Sequence, residues 1–395
     1  TLEEPRDTVM GSNTPTGLQI PELLDHIIGF LCDDRPALCT CALASRMLTS
    51  AAQRQLFSWI TFASPSHNNY ISPRWLQTIL ADSPHLTQFI RRIELHLNHE
   101  SNAELATVGL THVADIMVYG LARSRPDIHQ PTVAAACRLI GLESVHRVQV
   151  MGRFRDMSVI GRLFGECTLH LQEVVFEACW LEQSLEANAT LTWPNTVRTQ
   201  LARLKLLGSD RAMAWLVDED CPLDVSELTE INVSGSMAAK GHVYALLDRT
   251  RRTVTHLAFS LWDLHRGPHP DLTQFPSLTR LTVQTRLDAL PRFPPALADV
   301  DPHNCVREIV FTSERFDNRS WASDPEDDWT QELKAPLRAF DDAFAALPLP
   351  ELQRVEIQIR QKTGDPPGEW FKDLLPRLVA RRLVLVTVYP DTSFT

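Results

Sequence analysis

Two pairs of side chains in this 395-residue chain are of types that bind metal ions. Cys39 and Cys41 are separated by one residue, and His265 and His269 are four positions apart. Zinc sites pair cysteines at the wider C-x2–4-C spacing, and side chains two apart on a helix point in different directions. Prolines on either side of His269 break any helix that could bring the two histidines together. Neither pair predicts a metal site.

The motifs of nucleophilic and phosphate-transfer enzymes do not occur in the sequence. The chain has no G-x-S-x-G, P-loop or G-x-G-x-x-G motif. Ser, His and Asp are frequent, but spacing alone does not assemble a triad from them. We therefore expect a protein that is not an enzyme and uses no cofactor or metal, and whose side chains act by binding another protein.

The charge and cysteine content disfavour several partners and compartments. A formal net charge of -11 disfavours nucleic acid and anionic membranes, because both require local positive charge. The arginines at 91–92, 251–252 and 381–382 are pairs, not tracts, and fit solvated faces. No signal peptide is recognisable, no apolar run approaches the ~18 residues that span a bilayer, and the cysteines show no regular spacing. We expect a protein of the cytosol or nucleus.

The elements that must position any binding residues begin with a helical module. Apolar residues recur at 20, 23, 24, 27, 28 and 31 around a proline that suits a first helical turn. Two further apolar runs, 37–43 and 44–57, predict a second and a third helix. We assign residues 1–17 to a flexible leader, 18–57 to the helical module and 58–395 to the remainder.

A strand motif repeats through this remainder. Apolar residues stand at i, i+3 and i+5, the last two spaced as in a half-buried strand, and seven of nine steps between copies are 24–30 residues long. The copies begin at Ile90, Val145, Leu171, Leu201, Leu228, Val254, Leu278, Val306 and Leu352, and a tenth ends with Leu383 and Leu385. Each step accommodates one strand, a connection and a helix or turn. We predict an α/β fold, an irregular solenoid with a parallel sheet on its concave face.

Helical apolar spacing is expected between the copies. The predicted helices are Ala103–Leu121, Thr132–Ile140, Met157–Cys167, Asp210–Asp218, Ala238–Leu247 and Gln331–Leu347. The long step from Ile90 to Val145 has room for one irregular unit. Four prolines within residues 286–304 predict a long surface loop.

The helical module resembles an F-box, and the repeats resemble irregular leucine-rich repeats. Matching residues are Ile20-Pro21-Glu22-Leu23-Leu24 at the family's opening, Ile27, Ile28 and Leu31 in its first helix, Leu38, Cys41 and Leu43 in its second, and Ser45-Arg46 in its later element. Asn98 and Cys179 occupy the Asn/Cys position that ends a leucine-rich repeat strand. The combination resembles F-box-like proteins of mushroom-forming fungi.

The resemblance implies the substrate-recognition subunit of a Skp–cullin–F-box ubiquitin ligase. The helices would bind the Skp-family adaptor and, through it, cullin, while the repeats would hold a protein substrate. A surface for the adaptor must be apolar and exposed before binding, and its candidates are Ile20, Pro21, Leu24, Ile28, Leu38 and Leu43. The candidates for substrate binding stand between core positions on the concave face: Arg92, Glu94, Gln149, Glu173, Lys205, Asn232, Thr282 and Glu356. Their mixed charges predict no single ligand charge.

A second hypothesis belongs to a different class of protein. A repeat array exposes apolar end faces and needs caps, so the three helices could cap a non-catalytic scaffold that never meets the ligase. Deletion of residues 1–56 discriminates between the two. The solenoid of a receptor should stay mostly folded, whereas a scaffold that loses its cap should unfold or aggregate.

Overall fold

A computed structural model of the protein shows helices and parallel strands along most of the chain. It describes residues 21–62, 71–120, 129–154, 157–165, 169–181, 198–234, 240–260, 271–285, 290, 293, 297, 305–313, 329–347, 349–361 and 373–390. The predicted leader, Ile20 and the pair His265 and His269 lie outside these residues.

Three helices come first: α1 (Pro21–Gly29), α2 (Arg35–Ala44) and α3 (Arg46–Ser58). Asp34 and Ser45 act as N-caps, because their side chains accept backbone N–H groups from the first turns of α2 and α3. The helices share a small core of their own, formed by Ile28, Leu38, Ala51, Ala52 and Leu56. The helical prediction for this segment is therefore confirmed.

Twelve strands form one sheet, and every neighbouring pair in it is parallel. In spatial order they are β1 (Trp59–Phe62), β2 (Arg92–His96), β3 (Asp115–Tyr119), β4 (Arg147–Phe154), β5 (Glu173–Leu181), β7 (Arg203–Leu207), β9 (Glu230–Ser234), β10 (His256–Ser260), β11 (Arg280–Gln284), β12 (Glu308–Ser313), β13 (Arg354–Gln361) and β14 (Val384–Pro390). Strands β6 (Thr199–Gln200) and β8 (Leu223–Asp224) pair separately. The spatial order follows the chain, as the repeated motif predicts.

The connections between strands are mostly helical. The α-helices are α4 (Pro73–Asp82), α5 (Gln130–Ile140), α6 (Met157–Gly165), α7 (Asp210–Leu216), α8 (Lys240–Thr250), α9 (Trp329–Ala345) and α10 (Pro376–Ala380), and 3-10 helices cover Pro84–Phe89, Glu100–Thr107 and Leu272–Gln274. Right-handed crossovers between strands that advance in one direction place their connections on the same face of a sheet. Alternate strand residues on that face join the helices in one continuous core. We call the other face the open face.

A backbone ladder fixes the start of most strands in the sheet. The carbonyl oxygen of Arg91 accepts the N–H groups of both Ala114 and Asp115, at 2.8 and 3.0 Å. The same double acceptance recurs from strand to strand up to Arg307, whose carbonyl accepts from Gln353 and Arg354 at 2.8 and 3.1 Å. These bonds satisfy backbone groups and hold the strands in register, which places equivalent motif residues side by side.

One predicted helix is wrong. Residues 103–121 hold the end of the 3-10 helix Glu100–Thr107 and then β3, not a single helix. Val113, Ile116 and Val118 are fully buried at spacings of three and two, so the strand motif itself is present there. Burial of these three side chains against the sheet's core outweighs the helical pattern around them. The irregular unit expected in this long step is β3.

Two further predictions from the sequence need correction. In β14 the side chains in line with the core positions of β13 are Val384 and Val386, not Leu383 and Leu385. Leu385 consequently projects onto the open face, 44% exposed. Within the segment 286–304, predicted as a surface loop, Leu290, Phe293 and Leu297 are fully buried in the main core.

Candidate functional site

The helical module presents an apolar surface. Leu23, Ile27 and Phe30 on and just beyond α1 are 40%, 41% and 75% exposed, and they lie three and four residues apart on one side of the helix. Leu43 on α2 is 89% exposed and Met47 on α3 is also exposed. We call these five side chains the apolar helix surface. Exposed apolar groups concentrated in one short segment are typical of a protein–protein contact.

The predicted adaptor-binding residues divide between this surface and the interior. Leu43 belongs to the apolar helix surface, whereas Leu24, Ile28 and Leu38 are buried. The helical stripe was therefore identified correctly, but part of it holds the three helices together. Ile20 and the side chain of Pro21 lie outside the part of the chain that the structure describes. The outward residues Leu23 and Ile27 are part of the same sequence pattern, and only their exposure distinguishes them.

All eight predicted substrate-binding residues lie on the open face. Six of them occupy one row across the sheet: Glu94, Gln149, Lys205, Asn232, Thr282 and Glu356. The strand register aligns each with the next, either directly or through the paired residue of the strand between them. Arg92 and Glu173 occupy the adjacent row, at the beginning of the strands. The repeated motif thus predicts the face correctly.

The row that contains Arg92 and Glu173 alternates in charge. Asp115 Oδ2 lies 3.7 Å from Arg92 Nε and 2.9 Å from Arg147 Nη1. The two carboxylate oxygens of Glu173 lie 3.4 Å from Arg147 Nε and 3.2 Å from Arg203 Nε. Opposite charges on adjacent strands stabilise their pairing. In this arrangement Arg92 and Glu173 hold neighbouring strands together.

Glu173 is the most strongly engaged member of this row. Its Oε1 also lies 3.1 Å from Lys205 Nζ. Burial alone would raise the pKa of Glu173, but the hydrogen bond and charge of Lys205, with the charges of Arg147 and Arg203, lower it below its usual value of 4.5. The lowered pKa favours the ionised carboxylate, which forms ion pairs with three cations.

Three other predicted substrate-binding residues are also buried and form hydrogen bonds within the sheet. Glu356 accepts hydrogen bonds from Arg354 Nη2 at 2.6 Å, Gln358 Nε2 at 3.0 Å and Thr387 Oγ1 at 3.1 Å. Glu94 and Gln149 are likewise buried. Asn232 and Thr282 are half-buried, and neither side chain forms a hydrogen bond within the described part of the chain. These two offer the more accessible polar groups of the central row.

A cluster of polar and aromatic side chains on β2–β5 is not predicted from the sequence. The rings of His96 and Tyr119 stack at 4.6 Å, and Gln149 Nε2 donates to Glu177 Oε2 at 2.7 Å. Burial and then the charges of Glu94 and Glu177 raise the pKa of Tyr119. The register His96–Tyr119 in the pairing of β2 with β3 brings the rings together. Because the residues of β3 are predicted to be helical, no pattern in the sequence predicts this contact.

The thiols show no arrangement for chemistry in the described residues. Cys39 is exposed while Cys41 packs against the small helical core, so the two side chains face different ways. Burial raises the pKa of Cys179 and of Cys221 to about 12. Cys179 Sγ contacts the carbonyl oxygen of Val150 at 3.0 Å, a link to the preceding strand.

Asn102, rather than Asn98, connects the first two strands. It is fully buried, and its Nδ2 donates to the carbonyl oxygens of Phe62 and His96 at 2.8 and 3.0 Å. Across the residues for which coordinates are described, no group of three or more His, Cys, Asp or Glu side chains could hold a metal ion. Over the same residues, every helix is too short or too polar to cross a bilayer.

No protein-family model matches the chain, and none of the curated proteins matches it.

Proposed function

We propose that this protein is a non-enzymatic substrate receptor of a Skp–cullin–F-box ubiquitin ligase, acting in the cytosol or nucleus. Its three N-terminal helices form an F-box that binds a Skp-family adaptor, and its sheet belongs to a leucine-rich-repeat-like solenoid that holds a protein substrate. The mechanism is proximity, since the receptor raises the effective concentration of a substrate lysine near a thioester formed elsewhere.

The observation that carries the proposal is the apolar helix surface. Leu23, Ile27 and Phe30 remain exposed although the module has a small core of its own. A module whose only role is to cover the main core would turn its large apolar side chains toward that core. The F-box resemblance of residues 18–57 identifies the adaptor as the partner that would cover this surface.

The strand arrangement supports the second half of the proposal. Parallel strands that follow one another in chain order, with their connections on one face, are the arrangement of a repeat solenoid. Such arrays bind partners on the face that carries no helices. Asn232 and Thr282 are half-buried on this face, and we assign them to substrate contact. Lys205 pairs with Glu173, and Glu94, Gln149, Glu173 and Glu356 are buried.

Capture by a purified Skp-family adaptor tests the receptor function. Ile27→Asp places a charge within the apolar helix surface, and desolvating it on binding costs about 3 kcal/mol, roughly a hundredfold in affinity. We expect Ile27→Asp and Phe30→Asp to lose capture with unchanged melting temperature. Leu169→Asp, at an exposed leucine outside the module, is the matched control and should be captured as the unmodified chain is. Equal capture of folded Ile27→Asp would refute the proposal.

A second candidate function, a scaffold capped by the helices, has one observation in its favour. Phe57 packs against both the small helical core and the main core, and α3 contacts the 3-10 helix Pro84–Phe89. The module is therefore attached to the sheet through α3. Under this alternative α1 and α2 serve only to cover the sheet's end, and the Asp substitutions would leave binding partners unaffected.

A further inference from the structure

A cavity of about 380 Å³ opens at the beginning of strands β10–β13. Its lining includes Arg280, Arg307 and Arg354, together with Glu308, Thr279 and His256. Three guanidinium groups in one cavity are unusual in a chain whose formal net charge is -11. We call this cavity the arginine pocket.

The strand motif explains why these side chains meet. In Leu278-Thr-Arg-Leu281, Val306-Arg-Glu-Ile309 and Leu352-Gln-Arg-Val355, the two residues between the first apolar positions are polar. The register aligns Arg280 with Glu308 and Glu308 with Arg354. The preceding residues are joined by the backbone ladder, because Arg307 N–H donates to the Thr279 carbonyl at 2.9 Å. The pocket is therefore held by the backbone of three adjacent strands.

Among the described residues that line the arginine pocket, three are arginines and one, Glu308, is acidic. Arg280 Nε and Arg354 Nη1 share the carboxylate of Glu308, at 3.4 and 3.6 Å. Arg354 Nη2 also contacts the buried Glu356, at 2.6 Å. Arg307 is exposed, and its side chain forms no ion pair or hydrogen bond with any residue that the structure describes. Among the described residues, Glu308 and Glu356 therefore contact Arg280 and Arg354, and neither carboxylate contacts Arg307.

The charged row at the other end of the sheet provides the comparison. Between β2 and β7, each of Arg92, Arg147 and Arg203 contacts Asp115 or Glu173, so every arginine of that row has a carboxylate partner. Arg307 stands one position earlier in its motif, where the three preceding strands of the ladder carry Thr229, Thr255 and Thr279. Each of those threonines donates its hydroxyl to the preceding carbonyl, at 3.1 Å. The ladder therefore does not require an arginine at position 307, because three other strands have threonine at the equivalent position.

We propose that the arginine pocket binds an oxyanion, either a carboxylate or a phosphoryl group, presented by the protein that the open face holds. The identity of this ligand as part of a substrate rests on the proposed receptor function; the binding of an oxyanion does not. Guanidinium groups match both oxyanions through paired N–H donors, and such charge-assisted hydrogen bonds are the strong ones. Arg307 supplies a guanidinium group that has no partner among the described residues, and Arg280 and Arg354 flank it across the register.

Side-chain NMR of the full chain tests the pocket without any partner. Inorganic phosphate and acetate are titrated separately against chloride at constant ionic strength, and the arginine Nε–Hε resonances are followed. We expect saturable shifts, and one of the shifting resonances should be that of Arg307, assigned by its absence in Arg307→Thr. In that variant the shifts of the remaining arginines should saturate at about tenfold higher anion concentration. Shifts with phosphate alone identify a phosphoryl site, and shifts with acetate a carboxylate site.

Arg91→Thr is the matched control, because Arg91 is exposed at the equivalent ladder position before β2. This variant should bind the anions as the unmodified chain does. The proposal is overturned if neither anion shifts an arginine resonance more than chloride does, or if Arg91→Thr and Arg307→Thr weaken binding equally. Adaptor capture is measured on the same samples. If the unmodified chain binds no oxyanion but is captured by the adaptor, only the pocket is contradicted. If it binds an oxyanion but is not captured, only the receptor function is contradicted.

Discussion

At the scale of single residues, Glu173 shows how charge is used on the open face. Its carboxylate is buried among Arg147, Arg203 and Lys205, and their attraction lowers its pKa in spite of burial. A leucine-rich repeat ties neighbouring turns with asparagine side chains, which are rare at that position here. Cross-strand ion pairs and the backbone ladder connect the strands instead.

Replacement of Glu173 should reveal this role through pH. Because the pKa of Glu173 is lowered in the folded state, its stabilisation is complete above the usual value of 4.5 and is lost as pH falls below it. We expect Glu173→Gln to lower the free energy of unfolding by about 2 kcal/mol at pH 7. The difference from the unmodified chain should shrink toward pH 3, as measured by urea unfolding.

Asp248→Asn is the control for this experiment. Asp248 pairs with Arg251 at 3.2 Å on the surface, so its replacement should change stability by less than about 0.5 kcal/mol at either pH. A Glu173→Gln difference that stays the same from pH 7 to pH 3 would contradict the assigned role.

At the scale of elements, the helical module has an interior distinct from the sheet. Ile28 and Leu38 pack against α3, and an ion pair between Asp25 and Arg54 joins α1 to α3. Phe57 is the shared contact between this interior and the main core. The module is therefore expected to lose structure locally when its own core is weakened.

Leu38→Ala tests this local independence. Truncation of a fully buried leucine costs about 2–5 kcal/mol, and we expect amide hydrogen exchange to accelerate in residues 21–58 while β2–β14 keep their protection. Leu204→Ala in β7, which is equally buried, is the counterpart and should accelerate exchange in the sheet. Accelerated exchange throughout the sheet in Leu38→Ala would favour the capped scaffold.

The strands could be predicted from the sequence because their core positions repeat at fixed spacing, which burial on one face requires. Val113, Ile116 and Val118 carry the same spacing but lie among residues with helical periodicity, and the shift in β14 is invisible because valine and leucine fit either face. The division of Leu24 and Ile27 into buried and exposed residues depends on the packing of α3. The alignment of Arg280, Glu308 and Arg354 follows from their shared motif position, but their ion pairs and the exposure of Arg307 depend on side-chain packing, which the motif does not specify.

At the scale of the whole molecule, the order of strands separates the two proposed binding regions. The helical module leads directly into β1 at one edge of the sheet, and the arginine pocket lies at β10–β13, toward the edge formed by β14. Adaptor and substrate would therefore occupy different regions of the chain. Neither would need to displace the other, as a receptor that joins two proteins requires.

The most direct test of this account is amide hydrogen exchange of the full chain with and without a purified Skp-family adaptor. We expect added protection in residues 21–58, where the helices lie, and unchanged exchange in β10–β13. No added protection in the helices, or protection confined to the open face of the sheet, would contradict it.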